Sequence, residues 1–460
     1  MEERKNNHMI NKEMNQRIES YNQILQKKPI YHSIAQKMEE EVGDNPSGRL
    51  YISAFLPILL EYVSWVLREA SNRKQKRLYF LARDGYQMYL VAQKLCEIWK
   101  LPIECRYLKL SRYSMRLPEY HLLEKKCLDH ICIGGIDVTL KRIMKRAGLT
   151  DEEGIQIAEE LGKLSEFEKI LNYQEIMGLK GQLEKCPLFF EYVYNHSKAA
   201  YDNAIGYLKQ EGLFDEIPYA LVDSGWGGTL QKTISHLINK PALEGYYFGM
   251  YEIPNGMSKE QYHSFFFDPA WGLKNKVAFS NCLFEAVFTS PEGMTLRYDK
   301  NNDSYVPLLD YEENPNASKI QYHCNLLLDY MSGYETVHKN TENKNLQKEK
   351  ISSQKFVQKI VSKLMGHPTE WEAEEFGGLL FSDDVLEGNL KKVAADLTQT
   401  EIRQQHFVNK ALIMLGIKQG ELHESAWIEG SIVKEGHHVR SNLWHAALYK
   451  YFVYIKKMMK

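Results

Sequence analysis

The sequence predicts an α/β protein with a parallel-sheet core, a helical insertion and a helical C-terminal region. Two strand–turn–helix–strand units carry that expectation. The first runs through Leu78-Tyr79-Phe80-Leu81-Ala82, the break Arg83-Asp84-Gly85, an amphipathic helix over 86–99 and a strand over 103–110. The second runs through Tyr219-Ala220-Leu221-Val222, a turn from Asp223 to Gly228, a helix over 229–237 and a strand over 243–251. Apolar runs without polar alternation belong to strands covered on both faces, as parallel strands between helices are.

Taken in order, residues 1–45 read as polar helix and end in the turn-forming cluster Gly43-Asp44-Asn45-Pro46-Ser47-Gly48. The α/β core is expected over 46–335. Its most apolar stretch, Tyr51 to Leu67, is interrupted by Pro57 and Glu61 and is shorter than the roughly 20 residues of a spanning helix. A helix buried against the sheet is expected there, and no membrane span. Residues 119–215 are helical in pattern and form the insertion, between the two units. The segment 336–353, which contains HKNTENKNLQKEKISS, is polar and reads as a linker or exposed loop. The helical C-terminal region is 354–460, in which Phe381-Ser382-Asp383-Asp384 reads as a helix cap.

Composition bounds the function. Of 460 residues, 58 are Lys or Arg and 60 are Asp or Glu, a net charge of -2. That balance excludes a chain that coats nucleic acid, which needs a large basic excess. The charge is unevenly spread: Arg73 to Arg116 holds 11 basic and 3 acidic residues, leaving 47 against 57 elsewhere. The run at 73–77 reads as a solvated basic face. Seven Cys, at 96, 105, 127, 132, 186, 282 and 324, offer no paired framework and fit a reducing cytoplasm. Cys127, His130 and Cys132 lack zinc-site spacing, so no metal site is assigned. The opening MEERKNNHMINKEMNQ has no apolar signal core. The 29 Tyr suit either a sugar-binding cleft or ordinary packing.

Chemistry concentrates at the two turns. Ligands of open α/β sheets bind beyond the carboxyl ends of strands. Arg83, Asp84 and Gly85 occupy one such end, and Asp223, Ser224, Gly225, Trp226, Gly227, Gly228 and Thr229 the other. A glycine-rich turn before a helix turns backbone N–H groups and the positive helix end toward an anion. A phosphate-bearing small molecule is the expected ligand, with Asp223 placed for a sugar hydroxyl, a Mg²⁺ ion or a reacting proton. The competing reading is that the glycines serve backbone geometry alone and Asp223 caps the helix. Trp226 reads equally as a lid or a core anchor. Ser111, Arg112 and Arg116, after the second strand, add hydroxyl and guanidinium groups suited to phosphate. P-loop, G-x-G-x-x-G, G-x-S-x-G and H-E-x-x-H motifs are absent. His423-Glu424 and His437-His438 have no ligand-like partners and read as surface residues.

LYFLARDGYQMYLVAQKL (78–95), YLKLSRYSMRLP (107–118), ALVDSGWGGTLQKTI (220–234), EGYYFGMY (244–251), FEAVFTSPEGMTLRY (284–298) and EEFGGLLFSDD (374–384) resemble a bacterial family. That family is labelled predicted hydrolase of the haloacid dehalogenase (HAD) superfamily. Its signatures here are FLARDG and D-x-G-W-x-G-x-x-Q, the latter ending at Gln231. The D-x-D-x-[TV] nucleophile motif of longer members does not occur, so the chain resembles their C-terminal module. A weaker resemblance, in spacing and order, is to type I phosphoribosyltransferases. The two together imply a phosphoribosyltransferase-like or Rossmann-like core that binds a phosphorylated sugar or nucleotide-sugar. Asp223 and Asp84 would then be catalytic, Mg²⁺ the cofactor, and glycosyltransferases of surface-polysaccharide synthesis the partners. The alternative is a non-catalytic binding or scaffold module of the same machinery.

Overall fold

The computed structural model describes residues 2–135, 137–310, 314–341, 351–382, 386, 390–414 and 422–459. Its centre is a five-stranded sheet, all pairs parallel: β1 (Arg77–Leu81), β2 (Glu104–Leu108), β3 (Tyr219–Trp226), β4 (Glu244–Met250) and β5 (Tyr262–Phe267). Their spatial order is β2-β1-β3-β4-β5. The expected strands are all present, and β5, which the sequence pattern did not reveal, closes one edge.

The apolar runs are continuous because both faces are covered. Leu78, Phe80, Ala220 and Val222 enter one core, beside the helices Leu56–Asn72 and Gly85–Trp99. Their alternates Tyr79, Leu81, Tyr219 and Leu221 enter another, with Ala204 and Leu208 of helix Pro187–Gln210 and Ile234 and Leu237 of helix Thr229–Leu237. The chain leaves β1 for β2 on one side and returns as β3 on the other. This order reverses between β1 and β3, so a crevice opens there at the carboxyl ends of the strands.

From Pro46 to Asn72 the backbone is helical through a π turn at Tyr51–Phe55. By length and composition this 27-residue stretch passes as a membrane span, with mean hydropathy 1.7, yet 94% of its apolar window is buried inside the fold. Glu61, within it, is neutralised by Lys28 at 3.0 Å. The insertion has its own core, built on Leu117, Ile143, Met144, Phe189 and Val193. A hairpin of β6 (Thr295–Asn301) and β7 (Ser304–Leu309) packs on helix Pro187–Gln210, with Tyr298 stacked on Tyr207 at 4.3 Å.

The C-terminal helices share the sheet's core through Phe356, Ile360, Phe376 and Trp427. The stretch read as a linker begins inside helix Ala317–Thr341. Its residues 342–350, and Asp383-Asp384 of the expected cap, lie outside the described residues. The basic run at 73–77 is not uniformly solvated. Arg77 is buried and bound to Glu104 at 2.5 Å and Asp215 at 2.7 Å, because it is the first residue of β1, which is flanked on both sides by β2 and β3. The tyrosine excess is largely interior: Tyr21, Tyr51, Tyr62, Tyr79, Tyr120, Tyr246, Tyr247 and Tyr330 are all but fully buried.

The hairpin also meets the insertion closely at Gly206. A Cβ at Gly206 would lie 2.1 Å from the Tyr305 ring. Gly→Ala within a helix normally adds about 1 kcal/mol of stability, but overpacking costs about 1–3 kcal/mol. Gly206→Ala is therefore expected to lower the urea midpoint, and to raise it when made in a Tyr305→Ala background, where the ring is gone.

Candidate functional site

The two turns meet. A cleft of about 300 Å³ at the carboxyl ends of β1 and β3 is lined by Arg83, Asp84, Ser111, Arg112, Asp223, every residue from Ser224 to Thr229, and Gln231. They converge because β1 and β3 are hydrogen-bonded neighbours, in register from Arg77↔Tyr219 to Phe80↔Val222. Ser224, only 1% exposed, bridges the turns by donating Oγ to Asp84 Oδ2 at 2.6 Å. Tyr62 OH holds the base of the second turn, donating to the carbonyls of Asp223 (2.8 Å) and Tyr246 (2.9 Å).

The glycines of the second turn have distinct jobs. Gly225 has φ +115°, and a Cβ there would lie 2.3 Å from the Gly249 carbonyl across β4. Gly228, at φ +57°, is the N-cap of helix Thr229–Leu237, and no side chain caps that end. The first-turn N–H groups of this helix therefore face the cleft without a built-in acceptor. Asp223 is therefore not the cap of this helix, as the competing reading had it. Trp226 has φ +73°, costly for a bulky residue. Its indole is held by Phe279 at 5.1 Å and Phe267 at 6.2 Å, and Nε1 donates to Glu285. It anchors one wall and does not plug the cleft.

Four carboxylates line this space: Asp84, Asp223 and Glu285, with the exposed Glu252 at its edge. Burial, then the charge of Asp84, raises the Asp223 carboxyl well above the usual aspartate range. The same two causes push Glu285 up to about 7, against the pull of Arg112, Trp226 and Arg83. Burial also lowers the Arg83 guanidinium, with Asp84 opposing. The cleft thus sets buried acids beside cations. Among the described residues no group of three or more His, Cys, Asp or Glu is placed to hold a metal ion.

Several expected ligand residues are committed elsewhere. Ser111 caps helix Arg112–Leu123 in a reciprocal box with Ser114, each bond 2.9 Å, and its Oγ also donates to the Thr295 carbonyl. Gln231 donates to the Leu243 carbonyl at 2.8 Å and accepts from Tyr247 OH, so it ties the helix to β4. Gly85 packs on Phe80 in the first helical turn and is not part of the lining. Arg116 is 4% exposed and stands behind the wall, donating Nη2 to Thr229 Oγ1 at 3.0 Å; its Nε and Nη1 find no hydrogen-bond partner. Burial, then Arg112, lowers its guanidinium to about 10.

Sequence reasoning missed Glu285, Glu252 and Ser382 in the lining. The signal for Glu285 was present: it is the one charged side chain in the otherwise apolar helix Asn281–Phe288, NCLFEAVF. No family model matches the chain, and no curated protein matches it.

The raised carboxyl has a thermodynamic consequence with a definite sign. Folded Glu285 keeps a proton that the unfolded chain releases, so stability falls as pH rises from the ordinary glutamate range to about 7. Glu285→Gln retains the acceptor for Trp226 and removes this penalty. It is expected to be more stable than the parent by about 1–3 kcal/mol at pH 8 and about equal at pH 4, in thermal melts across that range.

Proposed function

We propose that the cleft between β1 and β3 binds a phosphorylated sugar or nucleotide-sugar together with Mg²⁺, and that the protein is a group-transfer enzyme of phosphoribosyltransferase type. The observation that carries this reading is the convergence of Asp84, Asp223 and Glu285 with Arg83 and Arg112 on one cleft, at a glycine-capped helix end. A purely structural role would not require like charges to be buried together, since each raised carboxyl costs stability.

The chain's own groups divide the work. The N–H groups at Thr229 and the Arg112 side chain, exposed at the mouth, are placed for phosphate oxygens. Asp223 and Asp84 are placed for sugar hydroxyls or the cation, with Ser224 fixing the Asp84 carboxylate. Mg²⁺, when bound, would neutralise phosphate charge; one or two carboxylates plus substrate phosphates suffice to hold it. Asp84 and Asp223, oxygen donors lining the cleft, are the residues that would hold it. Glu285, half-protonated near neutrality, suits general acid–base work. Transfer of this type relies on positioning and electrostatic stabilisation more than on a covalent nucleophile.

The link to surface-polysaccharide synthesis, and to glycosyltransferases as partners, rests on the family resemblance of the FLARDG and D-x-G-W-x-G-x-x-Q segments. A cytoplasmic setting is supported by seven free thiols. Phosphoribosyl pyrophosphate, hexose phosphates and nucleotide-sugars, each with and without Mg²⁺, form the test panel in thermal shift. At a hundredfold excess over its dissociation constant a ligand adds about 2.7 kcal/mol. At least one Mg²⁺-dependent shift is expected, abolished in Asp223→Asn and in Arg83→Ala. A panel without any shift overturns the reading.

A further inference from the structure

The last described helix, Val439–Met458, is apolar on both sides. Its inner side is accounted for: Ala446 and Asn442 are buried, and Tyr454 stacks on Tyr251 at 5.3 Å. Its outer side is met by Phe407, which packs edge-on against Phe452 at 5.3 Å, and is otherwise open to solvent along a stripe. Trp444, Leu448, Phe452, Ile455 and Met459 follow one another at spacings of four, four, three and four residues, which places them on one stripe. Trp444 is 60% exposed, Phe452 56% and Met459 83%. A helix apolar all round is normally covered all round, and a contiguous aromatic stripe is not a random scatter of surface residues.

Charge identifies the cover. No Asp or Glu occurs from Val439 to Lys460, whereas the body of the chain carries an acidic excess. Exposed Arg440 lies one turn before Trp444, and exposed Lys456 follows Ile455 at the other end of the stripe. Lys450, on the inner side, is already paired with Glu429 at 2.7 Å. An aromatic stripe bordered by unopposed cations is the chemistry of an interfacial helix on an anionic bilayer, with the rings among the acyl chains and the cations at the headgroups. We infer that the outer face of helix Val439–Met458 is a docking surface for an anionic lipid bilayer. The protein would be held at a membrane without spanning it.

This surface is independent of the ligand proposed for the cleft, though it is joined to the same frame. Tyr454 stacks on Tyr251, which packs 6.0 Å from Trp226, so the helix is braced against a wall of the site.

The test is co-sedimentation of the full chain with vesicles of phosphatidylcholine alone and of phosphatidylcholine mixed with phosphatidylglycerol, with size-exclusion chromatography alongside. Binding to the mixed vesicles only is expected, weakening as salt is raised. Arg440→Gln and Lys456→Gln should each weaken it about fivefold, and Trp444→Ser with Phe452→Ser should abolish it while the thermal melt stays within a few degrees of the parent. Failure to bind mixed vesicles overturns the inference. So does equal binding by the Trp444→Ser/Phe452→Ser variant, or a dimer that this variant dissolves in a chain indifferent to lipid.

Discussion

The parallel pairing of β1 with β3 is the constraint on which the rest of the site depends. The register spans only Arg77↔Tyr219 to Phe80↔Val222, yet it joins segments separated by the whole insertion. Each strand is buried on both faces, so sliding the pair by a residue would send Tyr79 and Tyr219 into the wrong core. Once that register is set, the turns after each strand have nowhere to go but beside each other. The Ser224–Asp84 hydrogen bond and the two bonds from Tyr62 then lock their relative height.

What this pairing creates is an electrostatically uncomfortable place. Burial and mutual repulsion both raise Asp223 and Glu285, and the nearest cations only partly offset this. The same turn holds Trp226 at a positive φ that its side chain disfavours. These costs are carried by surrounding order: an aromatic cluster of Phe248, Phe267, Phe279 and Phe284 grips the wall, and the whole assembly sits on a two-sided sheet. A rigid frame that confines repelling carboxylates is pre-organised for a cationic or hydroxylic partner, because no group needs reordering when one arrives.

Much of this was legible in the sequence, for a physical reason. A buried parallel strand must be apolar throughout, so LYFLA and YALV advertise themselves, and the residues just beyond them are necessarily at the sheet's carboxyl edge. Strand β5 escaped because an edge strand tolerates polar residues; His263 and Ser264 blur the run before Phe265, Phe266 and Phe267. Side-chain roles were harder. Ser111 and Gln231 are polar and near the cleft, but hydrogen-bonding capacity is spent on the nearest unsatisfied backbone, and only tertiary geometry shows which backbone that is. Glu285 is the converse case, a residue far along the chain whose importance comes wholly from packing beside Trp226.

The charge pattern argues the same way. The basic segment 73–116 is not one patch: Arg77 is an interior ion-pair hub, Arg73, Lys74 and Lys76 are solvated, and Arg83 and Arg112 reach the cleft. A cleft served by those two arginines and the four carboxylates of Asp84, Asp223, Glu252 and Glu285 has no basic excess, so it is ill suited to concentrating a bare polyanion. Under the proposal above, a ligand carrying both an anionic group and hydroxyls would meet partners for each. Arg112 acts on both Asp223 and Glu285, so cation and acids are interleaved and not held at opposite ends of the cleft. A ligand bound there as proposed would meet both signs of charge together, with the N–H groups of the uncapped helix end beside them.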